Sequence, residues 1–277
     1  MLLLGLRPAI AETERVKLPL PPRYGLETLA LPLAVYRPPG NGPFPLILYS
    51  HGRSANREAR AKVIGLAPQH ADYWLNKGFA VVAPIRPGYG ESAAIDPEYT
   101  ETRWRLPDGC VNRPDYTTAI ENAVWASRFA LAWARQQPWV KPRQILLEGS
   151  SVGGVVSLAL GAENPPGVAG VINFAGGMGG FPEKFPGQSC APDVLADLYR
   201  GFGARLKRPS LWLYAANDSY WGPEIPKTWF AAFSAGGGQG WLVNTPPVPG
   251  RDGHLLMYFG GGFWTQPMEA FLAQVLR

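Results

Sequence analysis

Six short, largely apolar runs recur along this chain, and they constrain its fold more than any other feature. They are LILYS (46–50), FAVVAPI (79–85), QILLEGS (144–150), VAGVINFAGG (168–177), SLWLYAA (210–216) and GWLVNTP (240–246). Runs of this length without polar alternation are typical of strands buried on both faces. Helical segments separate most of them, so the sequence predicts an α/β domain: a mostly parallel sheet with helices on both faces.

Apolar periodicity predicts the helices between these runs. They fall near 57–77, 116–136, 194–206, 226–235 and 266–276, and Gly78 is the expected cap at the end of the first. Two further strand-like runs, 16–20 and 26–36, precede LILYS and are interpreted as an edge hairpin.

The chain has 277 residues, a length that one α/β domain can reach. We therefore expect a single domain over 13–277. The connection 176–208 is long for a link between a strand and the next strand, and it is interpreted as a small lid insertion.

Charge and hydropathy exclude several classes of function. The net charge is only +5, and the nearest basic grouping, Arg53, Arg57, Arg60 and Lys62, is interpreted as a solvated helix start rather than a phosphate-binding patch. No apolar run approaches the roughly 20 residues of a membrane-spanning helix. We therefore expect neither a nucleic-acid partner nor a membrane span, and the sequence does not indicate an oligomeric state.

The first 12 residues, MLLLGLRPAIAE, resemble the end of a signal peptide or a disordered tail. An apolar stretch is followed by Ala9-Ile10-Ala11, which fits a small-x-small cleavage pattern, but the basic start of a signal peptide is missing. The prediction is a periplasmic or secreted protein, with a cytoplasmic one as the alternative. Two cysteines, Cys110 and Cys190, suit a disulfide if the protein is exported and two buried thiols if it is not.

The motif with the clearest chemistry is Gly149-Ser150-Ser151-Val152-Gly153. It matches G-x-S-x-G at the end of a buried strand and the start of a helix, the context of a nucleophile elbow. A sharp turn there would strain the serine and leave no room for side chains two residues either side. Only Ser151 has both flanking glycines, so it is the candidate nucleophile, ahead of Ser150.

A serine hydroxyl needs a base to take its proton, and the chain offers His51, His70 and His254. His70 lies in a predicted helix as a surface or packing residue, and His51 follows a strand, where it suits the shaping of a loop. His254 alone follows Ser151 in the chain, as the Ser–acid–His order of elbow enzymes requires. It is therefore the candidate general base.

The acid that orients this histidine is predicted to be Asp218, because it follows a buried strand at the same edge of the sheet as the elbow. Asp252, close to His254 in sequence, is the main competitor. Asp193 and Asp197 lie in the predicted lid helix and are weaker candidates.

An oxyanion intermediate needs two backbone N–H donors. The residue after the nucleophile, Val152, supplies one candidate. The loop Ser50–Ser54 supplies the other: Gly52 allows close approach, and the amide of Arg53 is the expected donor.

Taken together, these segments resemble the dienelactone-hydrolase-like branch of the α/β-hydrolase superfamily. The matching pieces, in the family's order, are LILYSHGRS, APIRPGYGES, ILLEGSSVGG, LWLYAANDSYW and GRDGHLLM, within roughly 30–275. The resemblance implies an eight-stranded α/β-hydrolase sheet and a triad of Ser151, Asp218 and His254. Secreted relatives often carry a loop disulfide, which would correspond to Cys110–Cys190.

One departure from that family bears on the substrate. Dienelactone hydrolases proper use a cysteine nucleophile, and this chain has serine at 151, which favours a general carboxylesterase acting on a small-molecule ester. Such a reaction needs no cofactor, and no metal site is expected. A peptidase or amidase, an acyltransferase and a non-catalytic scaffold of the same fold stay open as alternatives.

Aromatic residues crowd the loops where the site is expected. Trp104, Tyr220, Trp221 and Tyr258 are the candidate substrate-pocket residues, with Phe259 beside them. Ordinary core and rim packing is an equal alternative for these side chains.

Overall fold

The computed structural model describes residues 12–276, so the predicted signal-peptide remnant lies almost wholly outside the described residues. The strands are β1 (Glu12–Leu20), β2 (Leu29–Arg37), β3 (Phe44–Ser50), β4 (Ala80–Pro84), β5 (Trp104–Arg105), β6 (Gly109–Cys110), β7 (Val140–Ser150), β8 (Val168–Phe174), β9 (Gly180–Phe181), β10 (Phe185–Ser189), β11 (Ser210–Ala215) and β12 (Gly240–Thr245). The helices are α1 (Arg57–Ala61), α2 (Pro68–Asn76), α3 (Tyr116–Arg135), α4 (Val152–Gly161), α5 (Pro192–Arg205), α6 (Ile225–Ala235), α7 (Leu256–Phe259) and α8 (Gly261–Val275).

Eight strands form the main sheet in the order β1-β2-β4-β3-β7-β8-β11-β12. The pairs β1–β2 and β2–β4 are antiparallel, and the other neighbours are parallel. The predicted edge hairpin and the eight-stranded, mostly parallel sheet are therefore confirmed.

The core lies in two layers, one on each face of this sheet. Leu46 and Leu48 of β3 point into the layer that α3, α4, α5 and α6 cover, while Ile47 and Tyr49 point into the layer under α2, α7 and α8. The strand periodicity of two produces this alternation. Helices thus cover both faces, as the sequence predicted.

The prediction of one helix over 57–77 is wrong, because the chain breaks between α1 and α2. Gly65 adopts a φ of +128°, which a helix cannot include, and Pro68 begins α2, where its missing N–H costs no hydrogen bond. Gly78, at φ +78°, follows the end of α2 as expected.

The solvated interpretation of the basic grouping is also wrong at Arg60, which is buried. Its guanidinium donates to the carbonyls of Ala55 at 2.9 Å and, through Nε, of Gly88 at 3.0 Å. It ties α1 to the loop after β4.

The predicted lid, 176–208, divides into two parts. Its helical half, α5, packs against α6, and Leu195 and Tyr199 are completely buried in the core. The other part is the hairpin β9–β10, which lies outside the main sheet. The helix α5 therefore belongs to the core, and a lid within 176–208 stays a prediction.

Among residues 12–276, no helix is long and apolar enough to cross a membrane.

Candidate active site

Ser151 occupies the turn that joins β7 to α4, with φ 57° and ψ −128°. This is the strained backbone that the sequence predicted, and such strain in a residue other than glycine is typical of functional sites. A Cβ on Gly149 would stand 2.1 Å from the carbonyl oxygen of Gly153, and one on Gly153 would stand 1.9 Å from that of Ser50. Both glycines are therefore required by the close approach of backbone to backbone.

Asp218 and His254 are brought together from the loops after β11 and β12. Nδ1 of His254 lies 3.1 Å from each oxygen of the Asp218 carboxylate. Oδ1 of Asp218 also accepts hydrogen bonds from the backbone N–H groups of Tyr220 and Trp221, and the residue is only 3% exposed. The carboxylate is thus fixed by its own turn while it orients the imidazole.

Asp252, the competing acid, has a different set of partners. Its Oδ1 accepts from the backbone N–H groups of Ser219 and His254, each at 2.9 Å, and its Oδ2 accepts from the Ser219 hydroxyl. It therefore holds the loop of His254 to the loop of Asp218, and it does not contact the imidazole nitrogens.

Two aromatic rings connect His254 with the surroundings of Ser151. The ring of Tyr220 stacks on the imidazole at 4.1 Å between centroids, and Trp221 meets it edge-on at 5.8 Å. Both aromatic residues line a cavity together with Ser151. In the described part of the chain, no hydrogen bond joins the Ser151 hydroxyl to His254, and such contacts often tighten only when substrate binds.

This cavity has a volume of about 730 Å³ and opens over Ser151. Of the predicted pocket residues, Trp104, Tyr220 and Trp221 line it. Tyr258 does not: its hydroxyl lies 3.3 Å from that of Tyr49, away from the cavity. Phe259 is half-exposed beneath the guanidinium of Arg251. Both follow the 3₁₀ turn Gly253–Leu255, whose direction the sequence did not indicate.

The two candidate oxyanion donors, Arg53 and Val152, also line this cavity. Val152 is the first residue of α4, so its amide has no acceptor within the helix. A Cβ on Gly52 would come within 3.2 Å of the Ser151 Cβ, which shows how closely the loop after β3 approaches the elbow.

No protein-family model and no curated protein matches this sequence. Solved structures do match its fold. A dienelactone hydrolase from Anabaena variabilis is 17% identical with a TM-score of 0.61, and the alignment covers 96% of this chain and 99% of that one. The chain has a dienelactone-hydrolase-like α/β-hydrolase fold. An esterase from Pyrococcus furiosus (12% identical, TM-score 0.61, covering 96% and 94%) shares it.

The α/β-hydrolase fold also occurs in an acylaminoacyl peptidase from Pyrococcus horikoshii. That protein is 11% identical with a TM-score of 0.62, and the match covers 96% of this chain but only 42% of the peptidase. The fold is therefore shared by a dienelactone hydrolase, an esterase and a peptidase, so it does not by itself identify the substrate of this chain.

A disulfide joins Cys110, at the end of β6, to Cys190, just before α5, with Cα atoms 5.0 Å apart. It links the hairpin β5–β6 to the hairpin β9–β10. Trp104 of the first hairpin stacks on Phe185 of the second at 4.7 Å between centroids. These two hairpins form one wall of the cavity.

Sequence reasoning missed a buried acid beneath the elbow. Glu148 of β7 is completely buried, and it accepts from Trp74 Nε1 at 2.9 Å and lies 3.0 Å from His70 Nε2. His70 is thus a packing residue. The signal was present in QILLEGS, because a carboxylate inside an apolar strand requires a buried partner.

Sequence reasoning also missed a buried arginine, Arg86, two residues after the end of β4. Its partners lie in the loop after β3 and in the connection between β4 and β5. Among residues 12–276, no three His, Cys, Asp or Glu side chains converge so that they could hold a metal ion.

Proposed function

We propose that this protein is a serine hydrolase that cleaves carboxylic esters through an acyl-enzyme on Ser151. His254 is the general base, Asp218 orients it, and the amides of Arg53 and Val152 form the oxyanion hole. The observation that carries the proposal is the strained backbone of Ser151 at the strand-to-helix turn, facing the cavity. Nothing in ordinary packing requires a serine with φ 57° at that place.

The reaction has two halves. In the first, Oγ of Ser151 attacks the ester carbonyl carbon while Nε2 of His254 takes its proton, and the carbonyl oxygen becomes the oxyanion. The tetrahedral intermediate collapses, the alkoxy C–O bond breaks, and His254 returns the proton to the leaving alcohol. In the second half, water adds to the acyl carbon with the same base, and the carboxylic acid leaves Ser151.

Fluorophosphonate labelling with peptide mapping tests the nucleophile, and Ser150→Ala is the matched control. The two serines are neighbours, but only Ser151 lies on the cavity. Ser151→Ala should lose labelling and about 10⁴-fold or more in kcat. Ser150→Ala should keep both within a few-fold. Labelling on any other residue, or unchanged turnover in Ser151→Ala, would refute the assignment.

The acid is tested by comparing Asp218→Asn with Asp252→Asn. Both aspartates contact His254, but only Asp218 contacts the imidazole, so Asp218→Asn should lower kcat by roughly 10³–10⁴-fold through the wrong tautomer. Asp252→Asn should cost about 10-fold or less, because it loosens only the loop. Equal losses in the two variants would contradict the assignment of Asp218.

An amidase or peptidase activity is the second candidate, because the acylaminoacyl peptidase shares the fold. Parallel assays on p-nitrophenyl esters and matched p-nitroanilides separate the two reactions. For an esterase, we expect kcat/KM to be much higher for the ester than for the matched anilide. A higher value on the anilide would replace the proposal, and acyl transfer to added alcohols in preference to water would point to an acyltransferase.

We also propose that the protein works in an oxidising compartment, the periplasm or the outside of the cell. The disulfide between Cys110 and Cys190 supports this, because such bonds persist mainly there. Non-reducing peptide mapping of material fractionated from cells tests it. Free thiols at both positions in the native protein would favour the cytoplasm.

A further inference from the structure

A buried ion pair that the proposed reaction does not use lies beneath the loop Ser50–Ser54. Arg86 is 0% exposed and Glu98 is 1% exposed. Nε of Arg86 donates to Oε1 of Glu98 at 2.6 Å, and Nη2 donates to Oε2 at 3.1 Å. The hydroxyl of Tyr89 adds a third hydrogen bond to this carboxylate, at 2.7 Å. Glu98 thus fixes the plane of the guanidinium.

The other edge of this guanidinium faces the loop after β3. Nη1 of Arg86 donates to the carbonyl oxygen of His51 at 2.8 Å, and Nη2 donates to that of Gly52 at 3.4 Å. Two successive backbone carbonyls therefore accept hydrogen bonds from one planar guanidinium. Only arginine offers donors in this rigid fork; a lysine ammonium could not meet the carboxylate and both carbonyls in the same geometry.

The side chain of His51 is hydrogen-bonded to the second of these carbonyls, that of Gly52. The backbone N–H of Arg86 can only donate, and it donates to His51 Nε2 at 3.2 Å, so the proton of the neutral ring is on Nδ1. Nδ1 then donates to the Gly52 carbonyl at 2.8 Å. Burial and the charge of Arg86 lower the pKa of His51 well below its usual value, which keeps the ring neutral.

Holding the Gly52 carbonyl also sets the direction of the next amide. The peptide unit between Gly52 and Arg53 is planar and trans, so its C=O and N–H point in opposite directions. The carbonyl is drawn to the buried side by Arg86 and His51, and Arg53 lines the cavity. Within the described residues, the N–H of Arg53 donates no hydrogen bond.

We infer that Arg86, held by Glu98, is a positioning residue that aims the Arg53 N–H at the oxyanion. The inference rests on the proposed function. Arg86 does not touch substrate; it acts through the two carbonyls that it binds. Its contribution should therefore appear when negative charge develops on the substrate oxygen, and not when the neutral ester binds.

The test compares Arg86→Lys with Tyr89→Phe as a matched control. Both substitutions disturb the same buried cluster, but Tyr89→Phe removes only a hydrogen bond to Glu98 and leaves both carbonyl contacts of Arg86 in place. The concentration of active sites is measured by fluorophosphonate titration and kcat is calculated per active site. A variant that is partly unfolded therefore does not give a falsely low kcat. The measurements are kcat, KM and the pH–rate profile on a p-nitrophenyl ester, and the affinity for a boronic acid that forms a tetrahedral anion on serine.

Arg86→Lys should lower kcat about 10- to 100-fold and weaken boronate binding in parallel. The reason is that the Arg53 N–H would no longer be held in the direction of the oxyanion. KM should change less than about 3-fold, and the midpoint of the pH profile should stay in place. Tyr89→Phe should stay within about 3-fold in every measurement. If Arg86→Lys yields no folded protein, Glu98→Gln decides the test, with the same parallel loss at about 3- to 10-fold.

Unchanged kcat per active site in these variants, a change in KM alone, or an equal loss in Tyr89→Phe would each overturn the positioning role. These outcomes leave the proposed function intact if the wild-type protein hydrolyses the ester. A wild-type protein that neither hydrolyses the ester nor binds the boronate would overturn the proposed function and this inference together.

Discussion

Two regions of the cavity are built in opposite ways. The floor, Ser50–Ser54 with Gly149–Gly154, is largely buried and lies on the central strands of the sheet. The rim, Trp104–Cys110 with Gly180–Ser189, is mostly exposed or half-buried and belongs to two small hairpins outside the main sheet. The floor carries the proposed chemistry, and the rim encloses the space above it.

The difference lies in what fixes each region. The floor is fixed by close packing of backbone against backbone, above the buried pair of Arg86 and Glu98. Its glycine positions, such as Gly149 and Gly153, therefore have no room for added atoms. A ring stack and a disulfide fix the rim. Substitutions in the floor should therefore cause large losses of stability or activity. Substitutions in the rim should change the preference among substrates gradually.

The largest effect is expected from Gly153→Ala in the floor. The new Cβ would stand 1.9 Å from the Ser50 carbonyl oxygen, so we expect a loss of about 4 kcal/mol or more in unfolding free energy. The matched rim variant, Gly109→Ala, meets no atom within 4 Å and should cost only about 1–2 kcal/mol for its positive φ. Urea unfolding measures the free energy of unfolding of both variants. Equal losses would contradict the difference between the floor and the rim.

Removing the disulfide should be the largest change available in the rim. Cys110→Ser with Cys190→Ala should lower the unfolding free energy by about 2–4 kcal/mol and raise KM for bulky esters, with kcat for a small ester nearly unchanged. Reductant should shift the wild-type protein in the same way and leave the double variant unaffected. A fall in kcat on the small ester would show that the rim does reach the floor.

A pH effect of intermediate size is expected from His51 in the floor. Its pKa is lowered by burial and by Arg86, so below the ordinary value of about 6.5 the unfolded chain binds more protons than the folded one. The folded state should then lose up to about 1.4 kcal/mol per pH unit as the pH falls below 6.5, until His51 itself protonates. His51→Asn should remove this part of the slope; identical slopes in urea titrations of the two proteins would contradict it.

The smallest effect on stability is expected from Trp104→Ala in the rim. Loss of the ring stack on Phe185 should cost about 1 kcal/mol, and the ratio of kcat/KM for aryl and acetyl esters should change by roughly 10-fold. Trp241→Ala, also a partly exposed tryptophan but on β12 away from this cavity, is the control for ester preference. An unchanged ratio in Trp104→Ala would remove it from the substrate pocket.

The strands were predictable because burial on both faces leaves continuous apolar runs, as in FAVVAPI and SLWLYAA. The break between α1 and α2 was missed because Val63 and Leu66 continue the apolar spacing, although Gly65 and Pro68 marked it. The packing of α5 into the core was missed because the length of a segment does not say whether it packs. Leu195 and Tyr199 do pack, against partners remote in the chain.

The pairing of Asp218 with His254 was predictable because a motif and a chain order fix where such side chains emerge. The role of Ser151 stays a prediction until the nucleophile is labelled. The contacts of Arg86 with Glu98, His51 and Gly52 could not be predicted. They join the loop after β3 to the connection between β4 and β5, and the sequence does not specify which buried charge meets which carbonyl.

The covalent link between Cys110 and Cys190 spans 80 positions, and Ser151 lies inside that closed loop. A single peptide-bond cut anywhere within the loop would therefore leave both fragments attached to each other. The elbow serine would remain tethered from both directions, through the chain on one side and through sulfur on the other. An oxidised molecule nicked once there would gain only the mass of one water molecule, and it would separate into two pieces only after a reducing agent is added.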